Sequence, residues 1–490
     1  MTKFLQLGLL VISGSFITLF HVSAESLAIT NVNVIDVVSG AVRPDQNVLM
    51  ADSRIVQAGP ASAVSVPAAA KRIAGDGRYL IPGLWDMHVH FRNDPTKQDI
   101  SLAKENAALL KLYLANGVVG VREMGGDLAD EVLLWRQEVE AGKRIGPRIL
   151  TAGRKIDGEK PQWPGSISVM TPDEARQAVL QLKQMGADFI KVYFSKVEPA
   201  VLRAVVDETH KQKLMVTGHA PLNIAAAELV ELGMDGLEHA RASIPKRTEF
   251  EAFAKEISQR EKTALKMGSP EIASRLMWMH DEATEVEVYA AMARKGMWLT
   301  PTLTITTRGS TEFGEKDFTS DPRKRFLFPA IWASWDPKTG LRHPPPQAEQ
   351  PIRNEIAKRQ ANHVAAAHKA GVPMLAGTDS GVANNYMFPG WSIHEELETL
   401  VKAGLTPLEA LRTATVNPAK WRGRSDSEGV IEKNRIADLV MLRSNPLQTI
   451  TRTREIEAVI ARGHYYSRSD LDRLLADVEE QCAAAWAGQK

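Results

Sequence analysis

Four histidines, one lysine and two aspartates stand at the ends of apolar runs in this sequence: Asp86-Met-His88-Val-His90, Lys191, His219, His239 and Asp379, in that order. Imidazole nitrogens and carboxylate oxygens are ligands for divalent metal ions, which acidify water and polarise carbonyl groups. The segment Tyr79-Leu-Ile-Pro-Gly-Leu-Trp-Asp-Met-His-Val-His90 carries no charge until Asp86. Residues two apart on a strand point the same way, so His88 and His90 share a face and can hold one metal. On a helix they would have to be three or four apart.

The elements that must position these groups recur along the chain. After the run ending in His88-Val-His90 come Val118 to Arg122, Arg148 to Ala152, Asp188 to Tyr193, Leu214 to His219, Asp235 to His239, Met297 to Thr302 and Pro373 to Asp379, with helical stretches between them. Strands alternating with helices imply a parallel sheet. Eight such units close into a (β/α)8 TIM barrel, an α/β fold whose active site lies at the carboxyl ends of the strands. All the candidate ligands fall at those ends.

Lys191 is the odd member, because an ammonium offers three donors and no lone pair and cannot ligate a cation. The motifs together resemble the amidohydrolase superfamily. They comprise Pro82-Gly83-Leu-Trp-Asp86-Met-His88-Val-His90, Gly186-Ala-Asp-Phe-Ile-Lys191-Val, Gly218-His219-Ala, Gly236-Leu-Glu-His239, Gly377-Thr-Asp379-Ser, the stretch Gly404 to Pro418 and Ile436-Ala-Asp-Leu-Val440. Within that superfamily the chain looks most like binuclear Xaa-Pro dipeptidases and N-acyl amino acid hydrolases, formerly called imidazolonepropionase-like. The resemblance implies a carboxylated lysine at Lys191 bridging two divalent ions. His88, His90 and Asp379 would hold the more buried ion, and His219 and His239 the more exposed one. It implies hydrolysis of amide bonds in dipeptides or N-acyl amino acids by a metal-bridging hydroxide, with Asp379 moving the proton. Zinc (Zn2+) is the default for imidazole and carboxylate ligands, and manganese or cobalt would suit the same set. A mononuclear deaminase or cyclic amide hydrolase of the same superfamily is the alternative, against which Lys191 argues. A non-enzymatic scaffold is a third reading, against which the complete ligand set argues.

Two further catalytic candidates are Tyr193, two residues past the lysine on the same strand face, and Arg122, at the end of the second strand. Tyr193 could donate to a carbonyl or carboxylate. Arg122 could hold a substrate carboxylate or pair with Glu123 or Asp127. The other cations near strand ends are Arg154, Lys155, Lys196 and Arg241, and one buried cation among these five is expected to receive the carboxylate of a small acyl amino acid. Several residues read as structural. His363 and His368 sit on a helix expected to cover the outside of the barrel, and Met277-Trp-Met-His280 reads as helix packing. His394 begins the helix after the eighth strand and is a candidate for supporting the ligands.

Composition agrees with this reading. The chain has 490 residues, 44% of them apolar, and can bury a large core. A formal net charge of +1 gives no general attraction to nucleic acid or acidic membranes, and Cys482, the only cysteine, allows no internal disulfide. Lys3, the apolar stretch Phe4 to Phe20 and Val22-Ser-Ala24 before Glu25 read as a secretory signal, residues 1–24, with an uncleaved anchor as the alternative, and the mature chain is expected in the periplasm or outside the cell. The mature chain is then expected to have no membrane span, and to act on a small-molecule amide or dipeptide, with self-association left open.

Strand-like runs after the signal, Leu27 to Asp36 and Asn47 to Gln57, have counterparts at Ala437 to Leu442 and Ile456 to Gly463. They suggest a composite β-sandwich, residues 25–81 and 425–468, flanking a barrel at 82–424, with a C-terminal helix at 469–490. A long loop, 303–350, contains Phe326-Leu-Phe-Pro-Ala-Ile-Trp-Ala-Ser-Trp335 and His343-Pro-Pro-Pro346. It is either a lid over the metals, with Phe328, Trp332 or Trp335 lining the pocket, or packing against the barrel exterior or a second subunit.

Overall fold

The structure is a computed structural model that describes residues 26–93, 102–260, 270–312, 317–338, 346–381, 384 and 386–488. The expected signal, 1–24, and His343 lie outside the described residues. Among the described residues no helix is long and apolar enough to cross a membrane.

The alternation of apolar runs and helices produces an α/β architecture of parallel sheets. Leu84–Val89, Val118–Glu123 and Arg148–Thr151 form one parallel three-stranded sheet. A second runs in the order Ile167–Ser168, Ile156–Asp157, Ile190–Val192, Val216–Gly218, Gly236–Glu238, Trp298–Thr300, again all parallel. Its last four strands have three residues each, and nearly all of these are buried, as expected for strands covered by helices. Local signals set each strand's start. The helix Pro172–Met185 opens on a capping box between Thr171 and Glu174. It stops at Gly186, where φ of 96° lets Ala187 N–H reach Leu182 O, and the chain turns into the strand that carries Lys191.

Backbone bonds also cross between these sheets. Asp188 N–H reaches Thr151 O at 2.9 Å. The run Pro373 to Asp379 departs from expectation: it forms isolated parallel bridges, Met374 to Leu299 and Ser380 to Val89, instead of a regular strand. Its groups still bond to both neighbours, with Leu299 N–H on Pro373 O at 2.9 Å and Asp379 N–H on His88 O at 2.7 Å. The irregularity has a steric reason. A Cβ at Gly377 would lie 2.7 Å from His88 Cβ, so the backbone passes against the ligand strand only where a side chain is missing.

Both ends of the described chain meet in a separate eight-stranded sheet. Its order is His464–Ser467, Ile456–Ala461, Leu439–Leu442, Tyr79–Pro82, Leu27–Ile35, Val42–Ala51, Arg54–Pro60, with Lys71–Ala74 also on Leu27–Ile35. The join is Tyr79–Pro82 antiparallel to Leu439–Leu442, in register Val440 to Ile81. Its core holds Ile29, Val48, Leu80, Leu439 and Ile460. The C-terminal helix is present as Arg468–Ala487, opened by a capping box between Ser467 and Asp470.

Candidate metal centre

The carboxyl ends of the parallel strands bring the predicted groups together. His88 and His90 lie with ring centroids 5.2 Å apart, and their Nε2 atoms approach the same oxygen, Asp379 Oδ1, at 3.4 and 3.2 Å. His219 and His239, one residue past adjacent strands, bring their Nε2 atoms to 3.1 Å. His88, His239 and Asp379 each offer a ligand atom within 4.8 Å of the others, so two strand ends and the last loop converge on a volume the size of an ion site. Three residues here hold left-handed backbone: His239 at φ 67°, Thr302 at 47° and Asp379 at 57°. Such conformations cost about 1–3 kcal/mol in a non-glycine residue and persist where surrounding structure imposes them.

Lys191 lies within this group, fully buried, and its Nζ has no hydrogen-bond partner. His88 Nε2 is buried without a hydrogen bond as well. Polar atoms left so in a protein interior cost several kcal/mol unless a ligand satisfies them, and neutral imidazoles are metal donors. Burial, aided by the Lys191 charge, lowers His88 to about 4, and burial likewise holds His90 and His219 well below the usual histidine value. Burial brings Lys191 down to about 8. The donor set therefore fits divalent metal.

A second layer orients the ligands. His88 Nδ1 is 2.7 Å from Glu238 Oε2, and His239 Nδ1 is 2.7 Å from Thr302 Oγ1, which leaves each Nε2 facing inward. Glu238 also accepts from Thr217 Oγ1 at 2.6 Å and from Arg122 at 2.7 Å. Burial would raise its pKa, but Arg122 and His88 outweigh that and hold the carboxyl well below the usual range. The sequence reading missed Glu238. The available signal was a charge inside an otherwise apolar strand, directly before a ligand. Asp86 accepts from Thr378 N–H at 3.0 Å, from Thr378 Oγ1 at 2.7 Å and from His88 N–H at 3.3 Å, and ties the first strand to the segment 373–380.

Arg122 corrects the expectation of a substrate-facing cation. It is 1% exposed and donates to Met87 O, Glu238 and Thr300 Oγ1, so its partner is Glu238, in place of Glu123 or Asp127. The Tyr193 ring centroid lies 4.1 Å from that of His219. Of the remaining cations, Lys155 donates to Gly125 O and Lys196 to Ser258 O and Arg260 O. Burial lowers Arg241 to about 10, so it stays charged at neutral pH.

Phe328, Trp332 and Trp335 are buried with Leu109 and Leu112 of the helix Ala103–Ala115, with Phe388, and with Val478 and Cys482 of the C-terminal helix. They form an apolar cluster of their own, and the reading of Phe328, Trp332 or Trp335 as pocket lining is replaced by packing. His363 also differs from expectation: it is buried, bonded to Glu285, and lines the same cavity as His239. His368 pairs with Glu409 at 3.2 Å. His394 bonds Thr453 Oγ1 and Asn116 O, and so supports packing between helices and not the ligands.

Comparison with known proteins gives the family. The chain matches the amidohydrolase family over residues 79–465. It is 25% identical over 437 residues to ochratoxinase from Aspergillus niger, covering 78% of this chain and 73% of that one. Among solved structures, a Xaa-Pro dipeptidase with methionine bound in its active site is similar at a TM-score of 0.66 and 20% identity, over 90% of this chain and 100% of that one. Bottromycin amidohydrolase gives a TM-score of 0.71 at 22% identity, over 93% and 90%.

Proposed function

Since the chain belongs to the amidohydrolase family, it is a hydrolase acting on carbon–nitrogen bonds, and we propose that it cleaves the amide bond of dipeptides or N-acyl amino acids with two divalent ions, zinc by default. The observation that carries the binuclear part is Lys191 Nζ, buried among imidazoles without a partner. Addition of carbon dioxide to that amine, with loss of a proton, gives a carbamate whose oxygens are acceptors where the amine had only donors. His88, His90 and Asp379 would hold one ion and His219 and His239 the other, with the carbamate between them. When bound, such ions acidify a water and polarise the scissile carbonyl.

The chain's own groups do the rest. Asp379 takes the proton of the attacking water at its carboxylate and gives it to the departing amine nitrogen, which would otherwise leave as a poor anion. Tyr193, whose ring lies beside that of His219, donates its O–H to the carbonyl oxygen as charge develops there. Glu238, Thr302 and Arg122 keep the imidazoles in one tautomer and orientation.

This reading takes the backbone bonds between Thr151 and Asp188 and across 373–380 as the seams of a closed eight-unit barrel over 82–424. The sheet shared by 25–81 and 425–468 is the composite β-sandwich, with 469–490 as an added helix. The leader at 1–24 directs the enzyme to the periplasm or the exterior. Metal counting on the purified protein, with turnover of Xaa-Pro dipeptides and N-acyl amino acids, tests the proposal. Two ions per chain with turnover are expected, and one ion per chain with turnover confined to exocyclic amines or cyclic amides overturns it.

A further inference from the structure

A narrow cavity of about 20 Å³ lies beside His239. Leu237, Ile244, Met292 and Leu299 give it apolar walls, and Arg241 stands in its lining with Tyr289 and His363. A guanidinium against apolar walls keeps its water unless an anion or another acceptor replaces it. Among the described residues Arg241 has no ion pair and no side-chain hydrogen bond. Glu285, on the same helix as Tyr289, is engaged instead by His363 and by Tyr289 itself. The other cations at strand ends are accounted for: Arg122 by Glu238, Lys155 by Gly125 O, and Lys196 by Ser258 O and Arg260 O. Arg154 is outside the lining of this cavity.

We infer that Arg241 receives the free carboxylate of the substrate and thereby selects amides that carry one. The guanidinium fork matches a carboxylate in two parallel N–H···O bonds, which fixes orientation as well as position. Two residues beyond a ligand histidine and in the same cavity as its ring, that contact sets which amide of the substrate faces the metals. The assignment rests on the amide-hydrolase reading above and deepens it by naming the residue that distinguishes a free acid from its amide.

The test uses the metal-loaded full chain, N-acetyl-L-methionine against N-acetyl-L-methioninamide, and the variants R241M and R241K. Wild type should prefer the acid, and R241M should lose about tenfold to a hundredfold in kcat/KM on the acid, mainly through KM, while the amide is unaffected. Preference for the acid that survives in R241M overturns the assignment. Equal wild-type rates on acid and amide overturn it too, with the hydrolase reading left standing. Thermal melts and metal content show whether R241M is folded. If it is not, R241K, which keeps the charge without the fork, decides: a weakened acid preference supports the assignment, and an unchanged one overturns it. If no amide is hydrolysed the hydrolase reading falls by itself. Calorimetric binding of 3-phenylpropionate, which has no amide to cleave, still judges Arg241: affinity that drops in R241M supports the anchor, and affinity that is unchanged or undetectable in wild type overturns it.

Discussion

Glu238 Oε2 stands 2.7 Å from Nδ1 of His88, so a carboxylate on one strand sets the tautomer of an imidazole on another. With Nδ1–H donated to Glu238, the lone pair of Nε2 faces Asp379. Glu238→Gln should weaken metal affinity about tenfold to a hundredfold. It should also cost the metal-free protein about 3–5 kcal/mol, because Arg122 is left as an uncompensated buried charge. Metal titration and urea melts measure the two effects separately, and unchanged affinity would remove Glu238 from the metal support.

Lys191→Ala should strip metal and activity together. Short carboxylic acids such as propionate, entering the space vacated by the side chain, should restore part of both, as read by metal content and turnover in the same samples. Full activity in the alanine variant ends the binuclear reading.

Asp379→Asn retains size but removes basicity. Turnover should fall by at least about a hundredfold, the usual worth of general acid–base help. A mild loss with metal content unchanged would assign the proton transfer to another residue.

His394 gives a pH dependence outside the metal centre. Burial lowers its pKa to about 4 from an ordinary 6.5, so between those values the unfolded chain binds the proton and the folded one does not. Its contribution is complete above pH 6.5 and is lost as pH falls toward 4. The stability advantage of wild type over His394→Asn should therefore shrink by about 3 kcal/mol across that window, measured by urea melts at a series of pH values. A constant difference would mean that His394 takes up its proton equally in the folded and unfolded states.

Trp335→Ala separates packing from substrate contact. Buried against Phe388 and Tyr386, the indole should cost about 3–5 kcal/mol of stability when removed. KM for any amide substrate should be unchanged in the folded variant. A raised KM at full stability would return this ring to the substrate pocket.

The ligands were legible because a polar group that ends an apolar run has few structural uses, and five such ends carried histidine, lysine or aspartate. The layer behind them was not. Arg122 and Glu238 are 116 residues apart in the chain, and a lone charge in a strand does not say which partner neutralises it. The aromatics of 326–335 announced burial, but apolarity is non-directional and does not distinguish a pocket from the helix Arg468–Ala487. The eighth run read as a regular strand because its composition is that of one. The approach of His88 to Gly377, which breaks its regularity, is a property of the assembled strands.

The sheet shared by the two ends of the described chain has a consequence for the order of folding. Tyr79–Pro82 completes its pairing only with Leu439–Leu442, and Arg54 donates to Asn434 O across 380 residues of sequence. During synthesis the early strands must wait, with one edge open, until nearly all of the polypeptide has emerged. Contacts of such sequence separation form slowly, and an unpaired edge invites aggregation in the interval. Refolding from denaturant should accordingly be slow and concentration-sensitive, with the metal centre assembled before the ends are sewn together.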